Sequence, residues 1–510
     1  MKKINRKEFL HQISLLTGGM GMGLSNFDAK AYTSTPLAFT QNLAAGNVLV
    51  IIQMSGGNDG LNTVIPAEDD LYFSARPTIS IKKEVALPVE NGMYLHPSMT
   101  GLKKLFDDDK VSIVQNVGYA NPNRSHFRAT DIWNSASDSG TIWDDGWAGR
   151  YLSQIYPEFP IKLPKHPMAI QLGSVESLLF QSHRGGFATV FDDPNLFYQL
   201  VNGSVADNDL PPATLAGEEL AFLKQIASAS LQYSTIIKDT ANKGKNIQSY
   251  PNTSLSKQLS IVAKLISGGL ETPIYLANIG GFDTHANQIN SHANLLKTLS
   301  DAITNFQIDI QNLGLADRVC VMTYSEFGRR VNQNGTAGTD HGTAAPMIFV
   351  GNSVKSGLIG SNPNLKVLDS SGDLKYQFDF RQTYTTVLRD HLGATNSSAA
   401  SLFTGNFERL PIFKSSPDSI SDAGSIDLAN PWPNPASIST FIQYTVHQSQ
   451  EVFLAIYDLS GKLINVLVHE IKVKGEYNVS IDVSGWNKGH YIVTLLGSSG
   501  KRMTKNLMIN

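Results

Sequence analysis

A mostly parallel β-sheet covered by helices on both faces, followed by a small all-β sandwich, is the fold class that this sequence predicts. Three observations carry it. Continuous apolar runs of strand length recur through the long N-terminal part, and several are closed by a loop bearing glycine or an acid. Stretches with apolar residues at helical spacing lie between them. After about Lys414 the composition shifts, and short β-rich runs separated by turns take over. Apolar runs alternating with amphipathic helices are the pattern of a parallel sheet, whereas evenly spaced short strands are that of an antiparallel sandwich.

In chain order, Lys2, Lys3, Arg6 and Lys7 form a basic start, a short glycine-rich apolar stretch follows, and Ala29-Lys30-Ala31 supplies a small-x-small cleavage site. This is the layout of a secretory signal over 1–31, with an apolar part too short to span a bilayer. Near-consensus Asn5-Arg6-Lys7 carries one arginine where a twin-arginine signal has two, which leaves the export route open. The α/β domain is expected over 47–413. Its strands are read at Val48–Ile52, Val111–Asn116, Met168–Leu172, Ile274–Asn278, Val319–Thr323 and Met347–Val350, with helices over Leu255–Ile266 and about Ser291–Leu313. A Ser/Asp/Ala/Gly-rich linker spans 414–425, and 426–510 forms the β-sandwich.

With 510 residues, the chain needs more than one folding unit. Its 41% hydrophobic and 17% charged composition is that of a globular protein with a real core. A formal net charge of -3 gives no basic footprint, so nucleic acid is excluded as a partner. No segment reads as transmembrane. The lone Cys320, inside an apolar run, excludes a disulfide framework and a cysteine-rich zinc site.

Residues that carry chemistry follow strands, where open α/β sheets bind ligands. Asp59 lies in a Gly-Gly-Asn-Asp-Gly loop, Asp283 and His285 in Asp-Thr-His, Glu326 in Ser-Glu-Phe-Gly-Arg, and His341 in Asp-His-Gly. Carboxylates and imidazoles are the donors that divalent ions take. Ser125, at a helix start, is the candidate nucleophile. The bland alternatives are a turn residue for Asp59, a plain cap for Ser125 and a partner in Arg329 for Glu326. His126 reads as a ligand, an acid/base or a capping neighbour. Asp340 and His292 are candidates for a supporting role.

Taken together, the segments Met54–Asn62, Asn123–Trp133, Gly281–His285, Tyr324–Arg329, Asp340–Gly342 and Asp379–Gly393 resemble the family called domain of unknown function 1501, which is similar to the sulfatase/alkaline phosphatase superfamily. The resemblance spans about 47–413. It implies a three-layer α/β/α sandwich, alkaline phosphatase-like, holding one or two divalent ions (Zn, Mn, Mg or Ca). It assigns Asp59, Asp283, His285, Glu326 and His341 to the metal and Ser125 to nucleophilic attack. His126, Asp340, Arg329 and His292 fall around them. Phe327 stands where the superfamily has a histidine, so a second ion loses an imidazole. The implied activity is hydrolysis of phosphate or sulfate esters, of a small molecule or a glycan. The alternative is a non-catalytic surface or ligand-binding protein that keeps a degenerate metal site. The tail, with Asn430–Ala436, Ile456–Lys462, Ser484–Tyr491 and Lys505–Ile509, resembles a type A sorting domain. That implies the type IX secretion machinery as partner, and a protein exported through the periplasm to the surface or the medium.

Overall fold

A computed structural model describes residues 46–202, 215–414, 426–447, 449–458, 462–497 and 502–510. The signal read at 1–31, and the linker beyond Lys414, lie outside the described residues. The chain divides into two compact units, the larger within Leu43–Leu392 and Leu402–Lys414, the smaller within Gly393–Ser401 and Ser415–Asn510.

The larger unit is built on one sheet. Its strands are β1 (Val48–Ser55), β2 (Val111–Gly118), β3 (Ala169–Leu172), β4 (Ala188–Phe191), β5 (Ile274–Gly280), β6 (Val319–Tyr324), β7 (Ala345–Val350), β8 (Gly357–Ile359) and β9 (Phe378–Asp379). They lie in the order β8-β2-β7-β6-β1-β5-β3-β4, with β9 also paired to β2. Strand β1 runs parallel to β5 and β6, and β3 runs parallel to β5 and β4. Only β7 runs against its neighbours β6 and β2. Periodicity marks a strand but not its direction, so this reversal was invisible in the sequence.

Strand β1 is buried on both sides, as its unbroken apolar run requires. Val48, Val50 and Ile52 share a core cluster with Leu259, Ile266, Leu299, Ile303 and Phe306. Leu49 and Ile51, which alternate to the other face, are equally buried. Its helices include α1 (Gly60–Thr63), α2 (Thr100–Asp107), α3 (His126–Ser135), α4 (Trp147–Ile155), α5 (Leu215–Lys243), α6 (Ser254–Ser267), α7 (Gln288–Asn312) and α8 (Phe380–Thr386). Helix α7 starts a turn earlier than its apolar stripe suggests. Asn287 enters it in the left-handed conformation, and Gln288 becomes a buried polar residue.

Three imidazoles are buried in this unit with pKa values pushed down to about 4 by burial: His96, His292 and His391. His391 faces the Val48 carbonyl from Nε2 at 2.9 Å and stacks on Phe413. These groups predict an acid-sensitive fold. Above pH 6.5 the imidazole is neutral in both folded and unfolded chains. Between pH 6.5 and 4 the unfolded chain takes the proton first, so stability falls as pH drops, by on the order of 3 kcal/mol per fully buried imidazole. Urea midpoints, followed by near-ultraviolet circular dichroism, should therefore fall steadily from pH 7 to pH 4.5. A flat midpoint across that range would sink the account.

The smaller unit is all β: β10 (Ile426–Leu428), β11 (Ser439–Val446), β12 (Gln450–Asp458), β13 (Leu463–Lys472), β14 (Gly475–Asp482), β15 (Gly489–Gly497) and β16 (Arg502–Ile509). They form two sheets, β10-β11-β14 and β13-β12-β15-β16, in which every pairing is antiparallel. Ile442 and Tyr444 from one sheet join Leu454, Val493 and Leu507 from the other in a single core, as in a sandwich.

Candidate functional site

Strand direction gathers the site. Strands β1, β2, β5 and β6 all end at the same edge of the sheet, and the reversed β7 begins there. The loops carrying Asp59, His126, Asp283 and Glu326, which follow strands, therefore meet the loop carrying His341, which precedes one. Two glycines let them touch. Gly56 and Gly57 have φ of +117° and +78°. A Cβ on Gly56 would lie 2.4 Å from the Asp283 nitrogen, and one on Gly57 would lie 2.3 Å from Phe327 Cε2. Neither position accepts a side chain.

Asp283 is the hub. Its Oδ1 lies 3.0 Å from His285 Nε2, 3.2 Å from His341 Nε2 and 2.6 Å from Arg329 Nη2. Its Oδ2 faces His126 Nε2 at 3.5 Å. Burial pushes its pKa up, but the hydrogen bond and charge of Arg329 lead the influences that outweigh this and bring it down to about 2. The carboxylate is therefore charged at neutral pH.

The far nitrogens of the three rings are all engaged. His126 Nδ1 meets Glu326 Oε1 at 2.8 Å, His285 Nδ1 meets Asp340 Oδ1 at 3.0 Å, and His341 Nδ1 meets the Arg124 carbonyl at 2.8 Å. A carbonyl or a carboxylate only accepts, so these contacts place a proton on Nδ1 in each ring and leave Nε2 to a cation when one is bound. Three Nε2 atoms then face Asp283. The Nε2 atoms of His285 and His341 are 2.9 Å apart. Two bare lone pairs at that distance repel unless a cation or a shared proton lies against both. His126 Nε2 is buried without a hydrogen-bond partner, and His126, Asp283 and His341 each present a ligand atom within 4.8 Å of the others. Imidazoles whose outer nitrogens are held by carboxylates or a carbonyl are the donor set of a divalent ion, so the residues fit one.

The sequence reading did not choose a role for His126; the fold brings it to the cluster. Two of the expected ligands are engaged elsewhere. Asp59 is fully buried and paired with Arg76 at 2.6 Å, and it also accepts a hydrogen bond from Gln288. Burial pushes its carboxyl up, yet Arg76 holds it below the ordinary value. Removing either partner of such a pair would cost about 3–5 kcal/mol. Glu326 Oε1 is engaged by His126 and by the Gly56 N–H at 2.8 Å, so Glu326 holds the His126 ring in place. Arg329 bonds Asp283, not Glu326. Phe327, buried, packs 4.9 Å from the His126 ring and 4.6 Å from that of His341.

Asp340 supports His285, and Asn334, the stronger influence, and His285 hold its pKa low. His292 faces Asn58 Oδ1 at 2.9 Å, while the Asn58 N–H donates to Ser325 Oγ, so His292 braces the first loop. Ser125 occupies the N-cap of α3, is exposed, and makes no side-chain capping bond. Arg76 and Gln288 escaped the sequence reading. Arg76 lies 17 residues from Asp59 on an unremarkable segment, and no local signal marks it.

A family model described as protein of unknown function (DUF1501) matches residues 269–389, the stretch that carries Asp283, His285, Glu326, Arg329 and His341. A second, described as secretion system C-terminal sorting domain, matches residues 430–510. No curated protein matches the chain. Among solved structures, the chain is similar to a protein in the alkaline phosphatase superfamily from Vibrio parahaemolyticus, at 8% identity and TM-score 0.33, over 91% of this chain and 92% of that one. It is similar to a sulfatase from Pseudoalteromonas sp. at 9% identity and TM-score 0.32, over 86% and 84%. It is also similar to the C-terminal periplasmic domain of EcEptC from Escherichia coli at 9% identity and TM-score 0.33, over 73% and 93%. Among the described residues, no helix is long and apolar enough to cross a membrane.

Proposed function

We propose that this chain, which carries the DUF1501 signature and ends in a secretion system C-terminal sorting domain, is an exported metal-dependent hydrolase of phosphate or sulfate esters. The observation behind this reading is the convergence of three imidazole Nε2 atoms on Asp283, each ring held from behind by an acceptor. His126, His285, His341 and Asp283 would hold the ion. When bound, a divalent ion supplies charge neutralisation for an oxyanion and polarises the bond that breaks. Ser125 presents a hydroxyl free of any capping bond at the start of α3, where backbone N–H groups favour a negative charge. Glu326 and Asp340 keep their rings in one tautomer and one orientation. The ester class is what the resemblance to the superfamily implies, and the sorting tail carries the expectation of type IX export.

The test is a panel of aryl phosphate, aryl sulfate and sulfated glycan esters, with the protein stripped by chelator and then reloaded with zinc or manganese. Hydrolysis of one class that disappears on stripping and returns with the ion is the expected result. A second reading, a surface protein that binds without turnover, draws on Asp59 being tied to Arg76 and on Phe327 occupying a ring position. Ion binding with no hydrolysis of any ester favours it. No ion binding at all removes the metal reading.

A further inference from the structure

We propose that the centre takes a single ion, because Arg329 supplies a second positive charge as a permanent part of the fold. This rests on the metal reading above. Arg329 is completely enclosed, its side chain 0% exposed. Nε donates to the Gly57 carbonyl at 2.7 Å and Nη1 to the Thr339 carbonyl at 2.8 Å. Nη2 donates to Asp283 Oδ1 and to the carbonyls of Gly56 and Phe282. The remaining Nη1 hydrogen is 3.5 Å from His285 Nε2 by its nitrogen. A guanidinium does not lose its proton in proteins. It therefore sits beside the ligand carboxylate as a fixed cation.

Three consequences follow. Oδ1 of Asp283 is shared with Arg329, so Oδ2, on the His126 side, is the oxygen left for an ion. A second ion at the usual spacing of about 3.5–4 Å would need further carboxylate oxygens. Each of the nearest acids already has one oxygen engaged: Asp59 Oδ2 by Arg76 and Gln288, Glu326 Oε1 by His126 and Gly56, Asp340 Oδ1 by His285 and Asn334. Phe327, which has no lone pair to offer, packs against both the His126 and the His341 rings. Charge balance thus favours one ion, because Arg329 and Arg76 already neutralise Asp283 and Asp59. Arg329 is a positioning residue, buried too deeply to touch a substrate.

The full chain, stripped by chelator, is titrated with zinc or manganese in a calorimeter, and bound metal is counted by native mass spectrometry. One ion per chain is expected. Two ions of comparable affinity overturn the inference while leaving the metal reading intact. None overturns the metal reading, and the inference with it. Arg329→Gln removes the charge and Arg329→Lys keeps it; circular dichroism reports whether each folds. Folded Arg329→Gln should bind its ion about tenfold more tightly or admit a second, since Asp283 regains a whole carboxylate, and Arg329→Lys should return to parental stoichiometry. Weaker binding in a folded Arg329→Gln contradicts the charge argument. If that variant fails to fold, the stoichiometry of the parent still decides.

Discussion

His341→Ala should lower ion affinity and ester hydrolysis together, each by about a thousandfold or more. Groups that merely orient a metal ligand are worth about 10–100-fold, so the loss of a ligand itself exceeds that range. His341 is the ring that ties the cluster together. Its Nε2 lies 2.9 Å from His285 Nε2 and 3.2 Å from Asp283 Oδ1, and its Nδ1 is anchored on the Arg124 carbonyl. Alanine leaves no donor at that position, and the Phe327 ring packed 4.6 Å from it has none to offer. Competition titration with a chelating dye gives the affinity, and initial rates on the responsive ester give the activity. Parental ion affinity in the variant would remove His341 from the ligand set.

Ser125→Ala should abolish hydrolysis, by about a thousandfold or more, with bound metal unchanged. Ser125 is exposed at the N-cap of α3 and makes no capping bond through its side chain. Its removal should therefore barely touch stability. Its backbone N–H is already held by Asn123 Oδ1 at 2.8 Å, so the entry to the helix survives the substitution. The contrast with His341→Ala is the diagnostic: one variant loses activity and metal together, the other activity alone. Parental activity in Ser125→Ala would assign the attack to water. A fall in metal content would make Ser125 part of the ion's surroundings.

Much of the architecture was legible because its signals are local. Apolar runs such as Val48–Ile52 are long enough to demand burial on both faces, and they mark central strands whatever their neighbours are. The stripe of Leu299, Ile303, Phe306 and Ile310 repeats at helical spacing and marks α7. The change of composition after Lys414 separates two cores because the alternating β pattern beyond it cannot extend a parallel sheet. The candidate residues stood out for a related reason: an acid or imidazole directly after a buried strand sits where such sheets bind ligands.

The partners of those residues were another matter. Nothing near Asp59 in the chain announces that Arg76 will neutralise it, nor does Ser325-Glu326-Phe327-Gly328-Arg329 reveal that Arg329 reaches Asp283 and Glu326 reaches His126. The early start of α7, which buries Gln288 against Asp59, depends on Asn287 adopting a left-handed conformation that no periodicity encodes. By itself the sequence determined which segments become the central strands and the long helices, and which donors are available at the strand ends. Only the tertiary structure decided which donors meet, because the antiparallel β7 and the strand order β7-β6-β1-β5 set which loops are neighbours. Side-chain chemistry is written locally, but the pairing of charges across a sheet edge is fixed by strand direction and order, and those arise from the packing of the whole domain.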